Sequence, residues 1–312
     1  MHSVDIIIPA YKPGEKFIKL LDMLEKQTYP IQRVIVVNTE EKYFDRLLFF
    51  EPRRKFREKM TVRHISKREF DHGGTRRLGV SLSNADIFVC MTDDAVPADE
   101  YLVEKLVSAL LQEKVAVAYA RQLAGEGATE TERFTRNYNY PAKSLVKSQE
   151  DLGTLGIKTY FCSNVCAAYW RNIYEESGGF VKHTIFNEDM LYAAGVVKQG
   201  YRIAYAADAE VYHSHSYTNK QQFQRNFDLG VSQAQHPEVF EGIPSEGEGI
   251  RMVKQTATHL KEKKQSGKIF GLYVTSGFKF LGYRFGKAYR ILPKCLIKRF
   301  SMNKGYWEKE SI

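Results

Sequence analysis

Asp86-Ile-Phe-Val-Cys-Met-Thr-Asp-Asp-Ala-Val-Pro97 is the stretch on which the reading of the fold turns. Asp86 to Met91 is short, apolar and bounded by polar residues, which predicts a buried strand. Two carboxylates, Asp93 and Asp94, stand just past its end. Working outward, Val4 to Ile8 predicts a strand closing at Pro9. Phe17, Leu20, Leu21 and Leu24 recur at helical spacing, and Arg33 to Asn38 predicts a second strand. A helix is expected over Arg76 to Asn84. On the other side, Leu102, Leu106 and Leu110 share one helical face, and Val115 to Tyr119 predicts a further strand. Strands alternating with helices imply an α/β fold with a mostly parallel central sheet flanked by helices on both faces. Such sheets bind ligands beyond the carboxyl ends of their strands, so Pro9 to Lys12, Asn38 to Glu40 and Thr92 to Asp94 carry the most weight.

The later sequence is less regular. Residues 129–159 are polar and weakly periodic, and are expected to form a long excursion from the sheet. Tyr160 to Trp170 predicts a strand, Glu188 opens a helix, and Ile203 to His213 is extended. In the last section Phe270, Tyr273, Val274, Phe278, Leu281, Phe285, Tyr289 and Leu292 fall on one helical face. Lys279, Lys287, Arg290 and Lys294 form a stripe on another, and Pro293 is expected to end or kink the helix.

Charge follows the same division. The chain of 312 residues has a net charge of +9, yet from position 250 onward 15 Lys and Arg face 3 Glu, which leaves −3 for the rest. The reading is therefore a catalytic domain over 1–249 and a basic amphipathic helical region over 250–312. Aromatic residues beside a cationic stripe suit a helix lying in an anionic membrane surface, which the one-sided charge favours over a helix packed on the domain with its lysines in water. No nucleic-acid-binding module accompanies the charge, so nucleic acid is not an expected partner. No apolar run approaches the roughly 20 residues of a spanning helix, and the start lacks the charged and apolar regions of a secretory signal. Cys90, Cys162, Cys166 and Cys295 match no zinc or disulfide spacing, which fits a reducing, cytoplasmic setting. The expected location is the cytoplasm, peripheral on the inner face of the cell membrane.

Four groups of residues suggest chemistry. Asp93 and Asp94 suit Mg²⁺ or Mn²⁺, which take oxygen ligands and bridge diphosphates, although an Asp pair also suits a plain turn. Asn187-Glu188-Asp189-Met190 puts two acids at a helix start, where they also complement the dipole. His213 and His215 share a face if extended, which admits them as metal ligands. Arg225 offers a guanidinium suited to phosphate.

In their order and spacing, Ile6-Ile-Ile-Pro-Ala-Tyr-Lys-Pro13, Phe70-Asp-His-Gly-Gly-Thr-Arg76, Met91-Thr-Asp-Asp-Ala-Val-Pro97, Asn187-Glu-Asp-Met190 and His213-Ser-His215 resemble the family 2 inverting glycosyltransferases of GT-A fold. The His-Gly-Gly-Thr-Arg segment resembles their bacterial rhamnosyltransferase branch, and the likeness spans roughly Val4 to Gly230. It implies that Pro9, Ala10 and Tyr11 wall the nucleotide base. Asn38 and Glu40 lie where the base or ribose is met, and His72, Gly73, Gly74, Thr75 and Arg76 approach the nucleotide sugar. Thr92 replaces the first acid of the usual Asp-x-Asp motif, with Asp93 between it and the metal-binding Asp94. Asn38 likewise replaces an acid. The resemblance makes Asp189 the general base and Glu188 its neighbour that orients the acceptor. His213 or His215 joins Asp94 on the metal, Arg225 clamps the diphosphate, and Arg121, Gln122, Ser163 and Asn164 line the acceptor side.

The implied activity is metal-dependent transfer of L-rhamnose from dTDP-β-L-rhamnose to a lipid-linked saccharide in cell-surface polysaccharide synthesis. A UDP-hexose donor is the nearest alternative. A sugar-phosphate nucleotidyltransferase would want a Gly-rich triphosphate loop directly behind the first strand, and Gly73-Gly74 lies well beyond it. A non-catalytic membrane-attached assembly factor would leave Asp94, Asp189 and the histidines without a purpose.

Overall fold

Strand β1 (Val4–Tyr11) shows why this sequence forms a two-faced sheet. Its side chains alternate, so Val4, Ile6 and Ile8 enter one core while Ile7 enters another. The computed structural model describes residues 1–48, 58–215, 217–243 and 246–309. They fall into two compact units, the first of residues 1–123, 140–183 and 188–213, the second of 124–139, 184–187 and 214 onward.

The first unit holds nine strands among the described residues. After β1 come β2 (Arg33–Thr39), β3 (Met60–Ile65), β4 (Ile87–Met91), β5 (Val96–Pro97), β6 (Val115–Leu123), β7 (Leu145–Lys147), β8 (Cys166–Trp170) and β9 (Arg202–Tyr212). Their order is β3-β2-β1-β4-β8-β6-β9-β5, with β7 paired to β9. β3, β2, β1 and β4 run parallel, as do β6 and β9. The expected mostly parallel sheet thus also holds antiparallel strands. β8 lies antiparallel to both β4 and β6, while β5 and β7 pair antiparallel with β9.

Both faces are covered. Helices α1 (Glu15–Glu25) and α4 (Leu102–Leu110) bury Phe17, Leu20, Leu24, Leu102 and Leu106 against Ile6, Val36 and Val89. On the other face α3 (His72–Ser81) packs closely on Ile7 and Val37, and an aromatic cluster of Phe88, Tyr169, Tyr174, Phe180 and Tyr192 fills the space. The remaining helices in chain order up to this point are α2 (Glu41–Leu48) and, in the second unit, α5 (Glu130–Asn139); α6 (Leu152–Leu155), α7 (Arg171–Glu176) and α8 (Glu188–Lys198) return to the first.

Several boundaries differ from the sequence reading. α3 begins at His72 because Asp71 caps it, accepting from the Gly73 and Gly74 amides at 2.9 Å each. The strand expected from Tyr160 starts only at Cys166, since 156–160 close a 3₁₀ turn and 161–165 are irregular. The polar excursion supplies α5, β7 and α6, whose weak apolar patterning hid them.

The second unit is helical: α9 (Asn219–Gln235), α10 (Pro237–Phe240), α11 (Glu246–Glu262), α12 (Ile269–Lys287), α13 (Lys294–Phe300) and α14 (Tyr306–Lys309). α12 and α9 meet backbone to backbone. Gly282 and Gly286 back onto the carbonyls of Phe223 and Phe227, and Gly230 onto that of Tyr283, leaving no room for a Cβ. The apolar stripe predicted as one face is split. Tyr289 and Leu292 turn inward onto the cluster of Phe227, Val231, Ile297, Tyr306 and Trp307, whereas Phe270, Tyr273, Phe278, Leu281 and Phe285 stay exposed. Lys279 leaves the expected solvated stripe: burial, then Arg225, pushes its pKa down. Pro293 caps α13, so the helix ends before it. Among the described residues no helix is long and apolar enough to cross a membrane.

Candidate active site

The carboxyl ends of β1, β4, β6 and β9 open on one edge of the first unit's sheet. The reversed strand β8 brings its amino end to that same edge, because Met91 pairs with Cys166 and the Thr92 amide donates to the Val165 carbonyl at 3.1 Å. Residues 161–165 therefore lie beside Thr92-Asp93-Asp94. A purely parallel sheet would have put them at the far end.

Asp93 and Asp94 diverge. Asp93 turns back, accepting from the Tyr11 amide at 3.1 Å, and burial with Asp94 alongside pushes its pKa up to about 6. Asp94 instead places Oδ1 at 3.4 Å from Nε2 of His213, the residue that follows β9. The Thr92 hydroxyl is buried and has no hydrogen-bond partner among the described residues. Asp94 and His213 offer an oxygen and a nitrogen ligand atom within 4.8 Å of each other, a donor set that fits Mn²⁺ or Mg²⁺. His215 belongs to the second unit, is exposed, and stacks on Tyr217 with ring centroids 5.0 Å apart.

The second half of the site is built around Asn164, which is 2% exposed. Its amide N–H donates to Asp189 Oδ2 at 2.9 Å, its side-chain nitrogen donates to Glu188 Oε1 at 3.0 Å, and its carbonyl oxygen accepts from the Tyr169 hydroxyl at 2.7 Å. Arg76 pairs with the same Glu188 oxygen, Oε1, at 2.9 Å. The two acids, adjacent in sequence, therefore differ in charge. Burial works against ionised Glu188, but Arg76 and His72 more than offset it and its pKa falls. Asp189 has burial and the Glu188 charge against it, so its pKa rises to about 7. A carboxyl poised near neutrality is what general-base chemistry requires.

Other expected site residues have defined surroundings. Tyr11 is exposed, lies edge-on to Tyr43 and carries Lys12 over its ring, while Pro9 and Ala10 continue β1 beneath it. Asn38 is fully buried and its amide meets the His64 ring at 3.1 Å. Glu40 has a positive φ of 66° and accepts from the Lys67 amide at 2.7 Å. Gly73 is glycine for a packing reason, since a Cβ would strike the Val181 carbonyl. Thr75 bonds the Asp71 amide at 3.1 Å, and Arg76 is a buried counter-charge to Glu188. Arg225, in the second unit, places its guanidinium carbon 4.6 Å from the Phe186 ring centroid. The residues expected on the acceptor side form the frame of the site. Arg121 pairs with Glu210 and the Tyr140 carbonyl, and Gln122, Ser163 and Asn164 bond to protein partners.

The sequence reading missed Lys147, Tyr140, His183 and Tyr169. Lys147 is 2% exposed and donates to the carbonyls of Phe161 at 2.5 Å and Lys158 at 2.9 Å; burial pushes its amine down to about 7. It pins the segment from which Ser163 and Asn164 project. Nothing in its polar surroundings in the sequence marked it. His183 holds Asp71 at 2.6 Å behind the start of α3.

Comparison with known proteins identifies the family. The description Glycosyl transferase family 2 matches residues 5–178. The chain belongs to that family. It is a glycosyltransferase, and its family fits an inverting enzyme of polysaccharide biosynthesis, which sets aside the nucleotidyltransferase and assembly-factor alternatives. It is 39% identical over 307 residues to the O-antigen chain rhamnosyltransferase RfbN of Salmonella typhimurium, covering 98% of this chain and 96% of that protein. It is 38% identical over 310 residues to the O-antigen chain rhamnosyltransferase WbaN of Salmonella anatum, with the same coverage. Among solved structures it resembles the mannosyltransferase PcManGT of Pyrobaculum calidifontis in complex with GDP-Man and Mn²⁺, at TM-score 0.55, 15% identity, 99% of this chain and 88% of that one. TarS 1–349 of S. aureus in complex with UDP-GlcNAc follows at TM-score 0.51, 13% identity, 92% of this chain and 91% of that one. These two likenesses establish the α/β fold.

Proposed function

We propose that the enzyme transfers L-rhamnose from dTDP-β-L-rhamnose to a lipid-linked saccharide, inverting the anomeric centre to an α linkage. The observation that carries this reading is the Asp189 carboxyl, raised to about 7 and aimed by the Asn164 and Met190 amides at 2.9 and 2.8 Å. The acceptor hydroxyl attacks the anomeric carbon, its proton passes to Asp189, and the bond from that carbon to the diphosphate oxygen breaks on the opposite face. Glu188 stays ionised beside Arg76, and its charge keeps Asp189 basic.

Asp94 and His213 are the residues that would hold Mg²⁺ or Mn²⁺. Such an ion supplies positive charge to the departing nucleoside diphosphate. The Thr92 hydroxyl supplies a neutral donor where the family's usual motif has an acid. Tyr11 offers a ring to the base, Asn38 and Glu40 shape the wall beneath it, and Arg225 is the guanidinium proposed for the diphosphate. The rhamnosyl donor is supported by the two O-antigen rhamnosyltransferases that the chain matches over nearly its full length.

The region from position 250 is proposed to rest on an anionic membrane surface at the inner face of the cell membrane, where a lipid-linked acceptor would lie. Exposed Phe270, Tyr273, Phe280, Leu281 and Ile291 stand beside exposed Arg284, Lys287, Arg290 and Lys294. Thermal stabilisation tests the donor: in Mn²⁺, dTDP should raise the melting temperature more than UDP does. A larger shift with UDP would favour a UDP-hexose donor instead.

A further inference from the structure

Gln122 ends the β6 side of the site, is 3% exposed, and touches both halves of it. Its carbonyl oxygen lies 3.0 Å from Nδ1 of His213, and its amide nitrogen donates to the Tyr140 hydroxyl at 2.5 Å and to Ser163 Oγ at 3.0 Å. We propose that Gln122 is a positioning residue that fixes the tautomer of His213 for a divalent cation and links that histidine to the segment holding the general base. The proposal rests on the reading of Asp94 and His213 as metal ligands.

A neutral imidazole has one N–H and one lone pair, and a metal takes the lone pair. With its carbonyl toward Nδ1, Gln122 accepts that nitrogen's proton and leaves the lone pair on Nε2. Nε2 is the atom 3.4 Å from Asp94 Oδ1. Two lone-pair carriers then face each other, the arrangement that a shared cation relieves. The reversed amide would put the proton on Nε2, donating to Asp94, and would block ligation there. In the present arrangement the amide nitrogen donates to Tyr140 and Ser163, which leaves the carbonyl oxygen for His213. Backbone geometry supports the same placement, because the His213 amide donates to the Leu123 carbonyl at 3.0 Å, one residue past Gln122.

The link to the base runs through Ser163. It takes one amide hydrogen of Gln122 and immediately precedes Asn164, whose N–H donates to Asp189. The pairing of β9 with β6 is irregular just before this point: Ala120 faces Ala206, but Arg121 faces Glu210. Such a bulge re-aims the strand end, and here it brings Gln122 opposite Val211, two residues before His213.

Mn²⁺ binding to the full chain, followed by electron paramagnetic resonance without donor or acceptor, tests the proposal together with nitrogen shifts of ¹⁵N-histidine-labelled, metal-free protein. Gln122→Met should weaken Mn²⁺ binding by about 10- to 100-fold, as loss of an outer partner of a ligating histidine does. Gln122→Glu restores the acceptor and should recover most of the affinity. The wild-type His213 shifts should report the proton on Nδ1. Wild-type Mn²⁺ affinity in the Met variant, or a proton on Nε2 in the wild type, overturns the proposal. If the Met variant does not fold, the wild-type shifts and the Glu variant still decide. A wild type that binds no Mn²⁺, or an Asp94→Ala protein that binds it normally, sinks the metal reading instead, and the His213 shifts then judge Gln122 alone.

Discussion

At the residue scale, Asp189 sits under opposing demands. Buried near Glu188, it holds its proton up to about pH 7 in the folded protein, whereas an unfolded chain releases it near 3.8. The folded state therefore binds more protons in that window, and stability falls as pH rises from about 4 to 7. Asp189→Asn removes this dependence. Its melting temperature should drop less between pH 5 and 8 than that of the wild type, while transfer falls by orders of magnitude and donor binding persists. Near-normal turnover in this variant would dismiss Asp189 as the base. In the wild type, kcat should climb as pH passes through about 7. Arg76 gives a second expectation. Its partner Glu188 is almost fully buried, so Arg76→Met strands a charge and should cost about 3–5 kcal/mol in urea unfolding. A loss under 1 kcal/mol would mean that Glu188 finds another partner or takes up a proton.

At the element scale, β1, β2, β4 and β6 were legible in the sequence because each is a largely buried apolar run, whereas β3, with Thr61 and Arg63 exposed, was not. β4 is the clearest case, with Ile87 to Met91 entirely shielded. The reversed strand β8 was not legible in direction, since apolar content says nothing of polarity in a sheet. Asp94 and Asp189 stood out because carboxylates follow a strand end or open a helix. Tyr140 and Lys147 did not, because their roles depend on partners 18 and 14 residues away. In the helical unit the apolar stripe from Phe270 to Leu292 was visible, but the stretch that breaks it was not. The α9–α12 crossing gives a clean contrast between glycines on one helix. Gly286→Ala forces a methyl against the Phe227 carbonyl and should cost about 1–3 kcal/mol. Gly277→Ala meets nothing within 4 Å and should stabilise by about 0.5–1 kcal/mol. Thermal melts of the two variants should move in opposite directions; equal shifts would contradict the close crossing.

At the scale of the whole molecule, charge and chemistry are separated along the chain. The sequence up to position 249 is slightly acidic and carries the sheet-edge site; the region beyond it holds a surplus of 12 positive charges. Co-sedimentation with vesicles should therefore require anionic lipid and be released by high salt. Replacing Lys287 and Arg290 with serine should weaken it by about 1 kcal/mol per residue. Equal binding to neutral vesicles would contradict an electrostatic contact. The most direct measurement incubates the full chain with Mn²⁺, dTDP-β-L-rhamnose and a lipid-linked saccharide, then reads the new anomeric linkage by NMR. An α-L-rhamnosyl product that disappears in Asp189→Asn is the expected result. A β-linked product, or transfer from a UDP-hexose with none from dTDP-rhamnose, would contradict the account.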